Sequence, residues 1–126
     1  MVDVVAAVIE NEEGKILVAK RKQGMRFGGF WEFPGGKIEA GESPEESLRR
    51  ELQEEMNVEI EVGDYLGESE HRYEELAIRL LAYRARIVGG EIKLTDHDEY
   101  RWLEPDELTS VRLAPADIAL VHRLRK

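Results

Sequence analysis

Three glutamates on one predicted helix constrain this chain more than any other feature. Glu51, Glu54 and Glu55 stand at positions i, i+3 and i+4, so a helix brings their side chains together on one face. Like charges at that spacing repel by roughly 0.2–0.5 kcal/mol per pair. A hard divalent cation such as Mg²⁺ reverses that repulsion, because it takes oxygen ligands and shares them with substrate phosphates. The cluster therefore predicts a metal site, with an acidic solvated helix as the alternative.

The residues around these glutamates carry start and stop signals of a helix. Ser43 is favoured as an N-cap, Pro44 suits the first helical position, and Glu46 completes a capping box. Asn57 can adopt the left-handed conformation that ends a helix. The apolar stripe of the helix consists of Leu48, Leu52 and Met56.

The rest of the chain predicts strands with a second helix near the end. Residues 4–10 and 16–19 are apolar runs joined by a glycine-containing turn, which predicts a β-hairpin. Further strands are expected at residues 58–66, 77–88 and 100–103. A closing helix over residues 114–124 places Ile118, Val121 and Leu124 on one side. Because strands and helices mix without regular alternation, the sequence predicts an α/β fold with a mixed sheet flanked by helices.

Composition narrows the range of partners. The 126 residues predict one domain over positions 1–126, as a monomer or homodimer. The absence of cysteine excludes disulfides and zinc thiolate sites. The apolar amino end is short and lacks a basic leader, so no membrane span is expected and the protein is predicted to be cytoplasmic. A net charge of −9 argues against a nucleic-acid polymer, but a small phosphorylated ligand stays possible because a bound metal dominates the local charge.

The spacing of glycine, glutamate and arginine residues in and before this helix resembles the Nudix box. Gly36 is followed after five residues by Glu42, and after seven more by the run Arg50-Glu51-Leu52-Gln53-Glu54-Glu55-Met56-Asn57-Val58. The family pattern is Gly, five residues, Glu, seven residues, then Arg-Glu-aliphatic-any-Glu-Glu-any-Gly-aliphatic. This chain departs from it at one position, where Asn57 replaces glycine. Asn tolerates positive φ better than most residues, so the turn is expected to be kept.

The resemblance implies a Nudix fold, an α/β/α sandwich with a mixed β-sheet, and a hydrolase that cleaves nucleoside diphosphate derivatives with water and Mg²⁺ or Mn²⁺. It implies that Glu51, Glu54 and Glu55 are metal ligands, together with the backbone carbonyl of Gly35. Glu51 and Glu54 are also its candidates for catalysis, with Glu51 or another carboxylate helping to activate water. Structural roles in the box are implied for Gly36, Glu42 and Arg50, the last two through an ion pair.

Within the family, residues 17–21 and 31–37 resemble the MutT type. Arg21 matches a phosphate-contacting arginine. Lys37 is a second phosphate contact in this comparison, or an exposed solvating lysine. Phe33 either packs against the base or belongs to the core as a strand residue.

A further acidic residue is implied near Trp102. Asp96, six residues before it, matches a MutT-type carboxylate assigned to metal binding or to water activation, with Asp98 and Glu99 as neighbouring alternatives. His97 is expected to be a loop residue more often than a base.

The segment 113–118 bears on the choice of base. It resembles the branch that hydrolyses cytidine triphosphate, whereas MutT enzymes acting on 8-oxo-dGTP carry Asn at the position of Asp117. An ionised Asp accepts hydrogen bonds only, which suits the exocyclic amine of cytosine and also the extra ring N–H of an 8-oxopurine. The structural alternative for Asp117 is a helix N-cap.

The residues and the resemblance together predict hydrolysis of a (deoxy)nucleoside triphosphate to a monophosphate and pyrophosphate, with attack at the β-phosphorus, for sanitising the nucleotide pool. One alternative is a dinucleoside polyphosphate hydrolase, for which Tyr73 lies in the expected region. The other is a non-catalytic nucleotide-sensing Nudix domain, although such domains usually lose the carboxylates that this chain keeps.

Overall fold

Strand β1 (Val2–Ile9) runs through the interior of a four-stranded mixed sheet. The structure is a computed structural model that describes residues 1–124. The other strands of this sheet are β4 (Gly35–Lys37), β5 (Val58–Tyr73) and β6 (Leu76–Gly90), in the order β4-β1-β6-β5. β1 pairs antiparallel with β4 and parallel with β6, and β5 forms a long antiparallel hairpin with β6.

A second sheet is built around β2 (Ile16–Arg21), which pairs antiparallel with β3 (Trp31–Glu32) and β7 (His97–Leu103). The predicted hairpin between the first two strands is therefore wrong. The turn forms, but a single bridge between Glu10 and Ile16 joins the strands before they separate into different sheets. Each strand finds longer pairing partners far along the chain, which a local sequence pattern does not reveal.

The two helices cover opposite faces of β1. Alternate residues of a strand point to opposite faces, and both faces of β1 are buried. One core joins Val5, Ala7 and Ile9 to α1 (Pro44–Met56) through Leu48, Leu52 and Met56. The other core joins Ala6 and Val8 to α2 (Pro115–Leu124) through Ala116, Leu120 and Val121. This mixed α/β arrangement confirms the predicted fold class.

Helix α1 begins and ends as its sequence predicts. The Ser43 side chain accepts a hydrogen bond from the Glu46 backbone N–H, and the Glu46 carboxylate accepts one from the Ser43 N–H, which forms the capping box. Asn57 ends the helix in the left-handed region with φ of 59°. Its side-chain Nδ2 donates to the carbonyl of Glu91 at 3.1 Å and ties the helix end to the chain beyond β6.

Helix α2 turns a different side to the core than expected. Val121 is buried, but Ile118 is 43% exposed, and the side chain of Leu124 lies outside the described residues. Asp117 is buried in place of Ile118. Between β7 and α2 the chain forms a 3₁₀ helix at Pro105–Ser110. Within residues 1–124 no helix is long and apolar enough to cross a membrane.

The left-handed residue at the end of α1 yields a stability prediction. Asn57→Ala should destabilise the protein by about 1–2 kcal/mol, because a β-carbon is disfavoured in this region and the hydrogen bond to Glu91 is lost. Asn57→Gly, the matched control, should stay within about 1 kcal/mol of the wild type, since glycine adopts the conformation freely. Urea unfolding monitored by circular dichroism measures both, and equal stabilities for the alanine variant and the wild type would contradict the assignment.

Candidate active site

Glu51 of α1 lies directly against the backbone of β4. A β-carbon added at Gly36 would lie 2.5 Å from Cδ of the Glu51 carboxylate, so no larger residue fits there without moving it. A β-carbon at Gly35 would collide with the carbonyl oxygen of Val5 on β1. The two glycines therefore allow a strand, its neighbour and a carboxylate to approach closely.

Arg50 connects the loop after β4 to the carboxylates of α1. Its guanidinium binds Glu42 at 2.7 and 2.9 Å in a bidentate pair, and Nη1 donates to Glu51 at 2.9 Å and to Glu54 at 3.3 Å. Nη2 also donates to the carbonyl of Lys37 at 3.3 Å. Hydrogen bonding to Arg50 lowers the pKa of Glu42 to about 2, and the same bond raises the pKa of Arg50.

Glu55 differs from its neighbours because it faces the protein interior. The residue is 8% exposed, whereas the side chain of Glu54 is 57% exposed. Burial raises the pKa of Glu55 far above its ordinary value, and a hydrogen bond and the charge of Glu51 add to that effect. The charges of Glu32 and Asp96 act in the same direction. A cation at this point would relieve all of these repulsions.

Asp96 is held near Glu55 by the backbone. The N–H of Thr95 donates to the carbonyl of Glu55 at 3.1 Å, and the N–H of Lys93 donates to that of Met56 at 2.9 Å. Asp96 is exposed beside the end of α1, and its charge acts on Glu55. Of the alternatives, Asp98 is exposed and Glu99 pairs with Arg101.

A buried histidine and a glutamate lie beneath these carboxylates. His97 is 4% exposed and starts β7, so the expectation of a loop residue is wrong. Its Nε2 lies 3.0 Å from Oε2 of Glu32 and 3.9 Å from Oε1 of Glu55, and its Nδ1 has no hydrogen-bond partner among the described residues. Glu32 also pairs with Arg21 at 3.1 Å. A series of linked side chains, Arg21, Glu32 and His97, thus extends from β2 to the carboxylates of α1.

A cavity of about 240 Å³ opens on the other face of β1. It is smaller than the roughly 300–1,000 Å³ of pockets that enclose whole drug-sized ligands, so it suits one part of a ligand. Its apolar lining consists mainly of Val4, Ala6, Phe33, Ile78, Leu80, Ala114 and Ala116. Gly35 and Gly36 also line it, so the cavity reaches the strand against which Glu51 packs.

Asp117 lies in the wall of this cavity. The residue is 6% exposed, and its Oδ1 accepts a long hydrogen bond of 3.4 Å from the N–H of Phe33. Burial, followed by the charge of Glu32, raises the pKa of Asp117 well above its ordinary value. This shift disfavours the ionised side chain that the sequence interpretation assumed. The N-cap alternative is wrong, because α2 begins at Pro115 and Asp117 is its third residue.

Part of the cavity lining is cationic and aromatic. Arg21, Arg26, Phe27 and Tyr73 line it, with the rings of Phe27 and Tyr73 4.8 Å apart and the Arg26 guanidinium over both. Phe27 has φ of 60°, a strained value for a residue with a side chain. The side chain of Lys37 is exposed and does not line the cavity.

The donors on α1 fit a hard divalent cation. Among the described side chains, no three of His, Asp or Glu are arranged as a ready metal site, since Arg50 bridges Glu51 and Glu54. The group nevertheless offers only carboxylate oxygens from the helix, as Mg²⁺ and Mn²⁺ prefer. Among the described residues, His97 is the one basic side chain within 4.0 Å of the buried Glu55 carboxyl, with its Nε2 3.9 Å from Oε1. Its chemistry therefore suits a metal ion.

Sequence reasoning missed Glu32, Arg26 and Phe27. A charged residue between Trp31 and Phe33, in a strand that ends at a proline, is a signal that could have pointed to Glu32. Arg26 and Phe27 lie in an irregular loop, where the chain gives no periodic signal.

Comparison with known proteins agrees with this geometry. The family model for the NUDIX domain matches residues 2–124. The chain is 40% identical over 122 residues to a CTP pyrophosphohydrolase of Escherichia coli, covering 97% of this chain and 90% of that protein. It is 34% identical over 124 residues to an 8-oxo-dGTP diphosphatase of Haemophilus influenzae, covering 98% and 91%. The crystal structure of a MutT protein from Methanosarcina mazei superposes with a TM-score of 0.89 at 27% identity, covering 98% and 92%.

The fold, the carboxylate helix and these relatives define a hydrolase that acts on nucleotides. The chain belongs to the Nudix family and is a Nudix hydrolase. Enzymes of this family generally use divalent metal ions. These findings confirm the resemblance stated from the box and from the MutT-type segments.

The contact between Gly36 and Glu51 yields a prediction about activity. Gly36→Ala should lower kcat for nucleotide hydrolysis at least about tenfold, because its β-carbon displaces a carboxylate and small misplacements at an active site cost that much or more. Gly63→Ala is the matched control, since its β-carbon would meet only the Arg84 carbonyl at 3.4 Å. Steady-state kinetics and circular dichroism of both variants provide the test, and wild-type kcat in Gly36→Ala would rule out this packing constraint.

Proposed function

We propose that the protein hydrolyses (deoxy)nucleoside triphosphates to monophosphates and pyrophosphate with Mg²⁺ or Mn²⁺, and that it sanitises the nucleotide pool. The two relatives of nearly full coverage, a CTP pyrophosphohydrolase and an 8-oxo-dGTP diphosphatase, support this class of substrate. The single domain, the monomeric or homodimeric state and the cytoplasmic location stay predictions from the sequence.

One observation carries the proposal: the apolar cavity and the carboxylate helix meet at Gly35 and Gly36. The cavity suits a base, with the ring of Phe33 in its lining, and the glycines bring Glu51 to its edge. A nucleotide seated with its base in the cavity would extend its phosphates along these glycines toward α1. The apolar cavity would bind a neutral flat group, and the neighbouring metal site on α1 would bind an anionic chain.

The carboxylates of α1 and the Gly35 carbonyl would hold the metal. A bound Mg²⁺ neutralises phosphate charge and makes a coordinated water more acidic. For this role, Glu51 and Glu54 would exchange their hydrogen bonds to Arg50 for the metal. The Arg50 guanidinium would stay in place through its two short hydrogen bonds to Glu42. Gly36 sets the position of Glu51.

Proton removal from the attacking water falls to a carboxylate of the cluster other than the buried Glu55. The candidates are Glu54 and Asp96, which are exposed, and Glu51, whose side chain is 16% exposed. Water adds to the β-phosphorus, the bond to the bridging oxygen breaks, and the nucleoside monophosphate leaves as pyrophosphate is formed.

Arg21 and Lys37 would serve the phosphates differently. Arg21 lines the cavity, but its guanidinium already donates to Glu32 and to the carbonyl of Arg26. It would therefore contact a phosphate while Glu32 keeps it oriented. Lys37 projects into solvent from β4 and would attract the phosphate chain by long-range charge.

A single-residue replacement tests the metal-dependent hydrolysis. Glu54→Gln should lower kcat by at least about a hundredfold with little effect on folding, because an amide is a far weaker ligand for a hard cation and cannot accept a proton from water. Pyrophosphate release is measured with Mg²⁺ on a panel that includes dCTP, CTP and 8-oxo-dGTP.

The exposed Glu59 on β5 supplies the control, since Glu59→Gln removes the same charge outside the cluster. Turnover by Glu54→Gln at the control's rate would refute the metal assignment. Tight nucleotide binding by the wild type without any pyrophosphate release would favour the nucleotide-sensing alternative. Preference for dinucleoside polyphosphates over all triphosphates would favour the alternative suggested by Tyr73.

A further inference from the structure

His97 is a buried polar side chain to which the proposed hydrolysis gives no role. Its Nε2 lies 3.0 Å from Oε2 of Glu32, and its Nδ1 has no hydrogen-bond partner among the described residues. A buried nitrogen without a partner lowers stability, so packing alone does not account for a histidine at this position. What the other ring nitrogen holds in place is therefore the question.

A β-bulge turns His97 toward Arg21. In the ladder between β2 and β7, Lys20 lies opposite Glu99. The next residue of β2, Arg21, lies opposite His97, so the exposed Asp98 is an extra residue on β7. Such bulges redirect side chains and are common beside active sites. With regular pairing Asp98 would stand opposite Arg21, so the bulge replaces a carboxylate by an imidazole on that face of the sheet.

Glu32 reaches the same face from the other side of β2. It lies opposite Ala19, two residues before Arg21, and residues two apart on a strand share a face. Its carboxylate accepts from Nη1 of Arg21 at 3.1 and 3.2 Å and lies 3.0 Å from Nε2 of His97. Because a carboxylate paired with arginine only accepts hydrogen bonds, the imidazole donates from Nε2–H. His97 and Arg21 therefore hold Glu32 between them.

The three side chains run from the interior toward the cavity. The side chain of His97 is 2% exposed, that of Glu32 17% and that of Arg21 25%. Glu32 also carries its charge near two other acidic groups, since it raises the pKa of Glu55 and that of Asp117. A carboxylate in such surroundings keeps its position only where donors hold it. His97, fixed by burial and by its strand, is the rigid end of the series.

We propose that His97 is a positioning residue for Arg21: its Nε2–H fixes the Glu32 carboxylate, and Glu32 in turn holds the Arg21 guanidinium in the cavity lining. This inference rests on the proposed function, in which Arg21 contacts a substrate phosphate. A guanidinium that is ordered before the substrate arrives loses less conformational freedom on binding. Glu55 is not the route, because its Oε1 lies 3.9 Å from Nε2, beyond hydrogen-bonding distance.

A double-mutant cycle tests whether His97 acts through Arg21. It uses kcat/KM with Mg²⁺ for whichever of dCTP, CTP and 8-oxo-dGTP the wild type hydrolyses fastest. His97→Leu should lower this value at least about tenfold with Arg21 present but less than about threefold in an Arg21→Ala background, since residues of one hydrogen-bonded network are not additive. A general structural defect would lower both values by the same factor.

Two amides at position 97 form a matched pair. The side-chain nitrogen of glutamine takes about the position of histidine Nε2, whereas that of asparagine takes about the position of Nδ1. His97→Gln should therefore recover most of the activity that His97→Leu loses, and His97→Asn should not. Both replacements are polar and neutral, so polarity alone does not separate them. His97→Asn also takes the place of His97→Leu in the cycle if circular dichroism shows that the leucine variant does not fold.

The order of the Arg21 side chain is a second readout, which needs no turnover. The ¹⁵N order parameter of Arg21 Nε, measured by NMR without nucleotide, should fall in His97→Leu and in His97→Asn and stay near the wild-type value in His97→Gln. Nε of Arg50, bound to Glu42 at 2.7 Å away from this series, is the internal control and should not change.

The proposal is overturned if His97→Leu keeps the wild-type kcat/KM, if its loss is the same in both backgrounds, or if His97→Asn equals His97→Gln. It is also overturned if Arg21→Ala alone leaves kcat/KM unchanged. All of these results would leave triphosphate hydrolysis standing, whereas a lack of pyrophosphate release from every triphosphate would instead refute the proposed function. The Arg21 order parameter then decides the positioning role, and an unchanged value in His97→Leu overturns it.

Discussion

The guanidinium of Arg50 supplies the positive charge on which the acidic helix depends. It contacts Glu42, Glu51 and Glu54 and also the backbone of β4 at Lys37. Arginine stays protonated at any ordinary pH and offers donors in a fixed planar array, so one side chain can satisfy several carboxylates at once. The protein therefore carries its own countercharge, and the clustered glutamates can fold together without an external ion.

Local chemistry explains why α1 was predictable from sequence. Its first turn is closed by side chains three residues apart, Ser43 and Glu46, and its end by Asn57, so each boundary depends on near neighbours. The pairing of β1 with β6 joins Val5 to Leu81, far along the chain, and no local pattern encodes such a partner. The hairpin expected at the amino end was wrong for that reason. β5 and β6 also extend beyond their apolar runs because ladder hydrogen bonds tolerate exposed polar residues.

The candidate site also combines residues that could be predicted from local sequence with residues that could not. The carboxylates were found from spacing on one helix, and the family comparison confirms the hydrolase they predict. Glu32 and His97 come from strands of the second sheet, β3 and β7, and meet only because both pair with β2. The raised pKa of Asp117 could not be predicted either, because its causes, burial and the charge of Glu32, exist only in the folded chain.

Strand β1 is buried on both faces, and each face carries a different part of the candidate site. One face packs against α1 with its clustered glutamates, and the other forms the cavity with Asp117 and Phe33. The two regions adjoin at Gly35 and Gly36, and Glu32 links them as well, because it lines the cavity and contacts His97 beside Glu55. With the base bound in the cavity as proposed, substitutions there would change which base is accepted while the carboxylates keep their positions. Such a partition would let one hydrolytic apparatus diversify into enzymes for different nucleotides through changes on a single side of one strand.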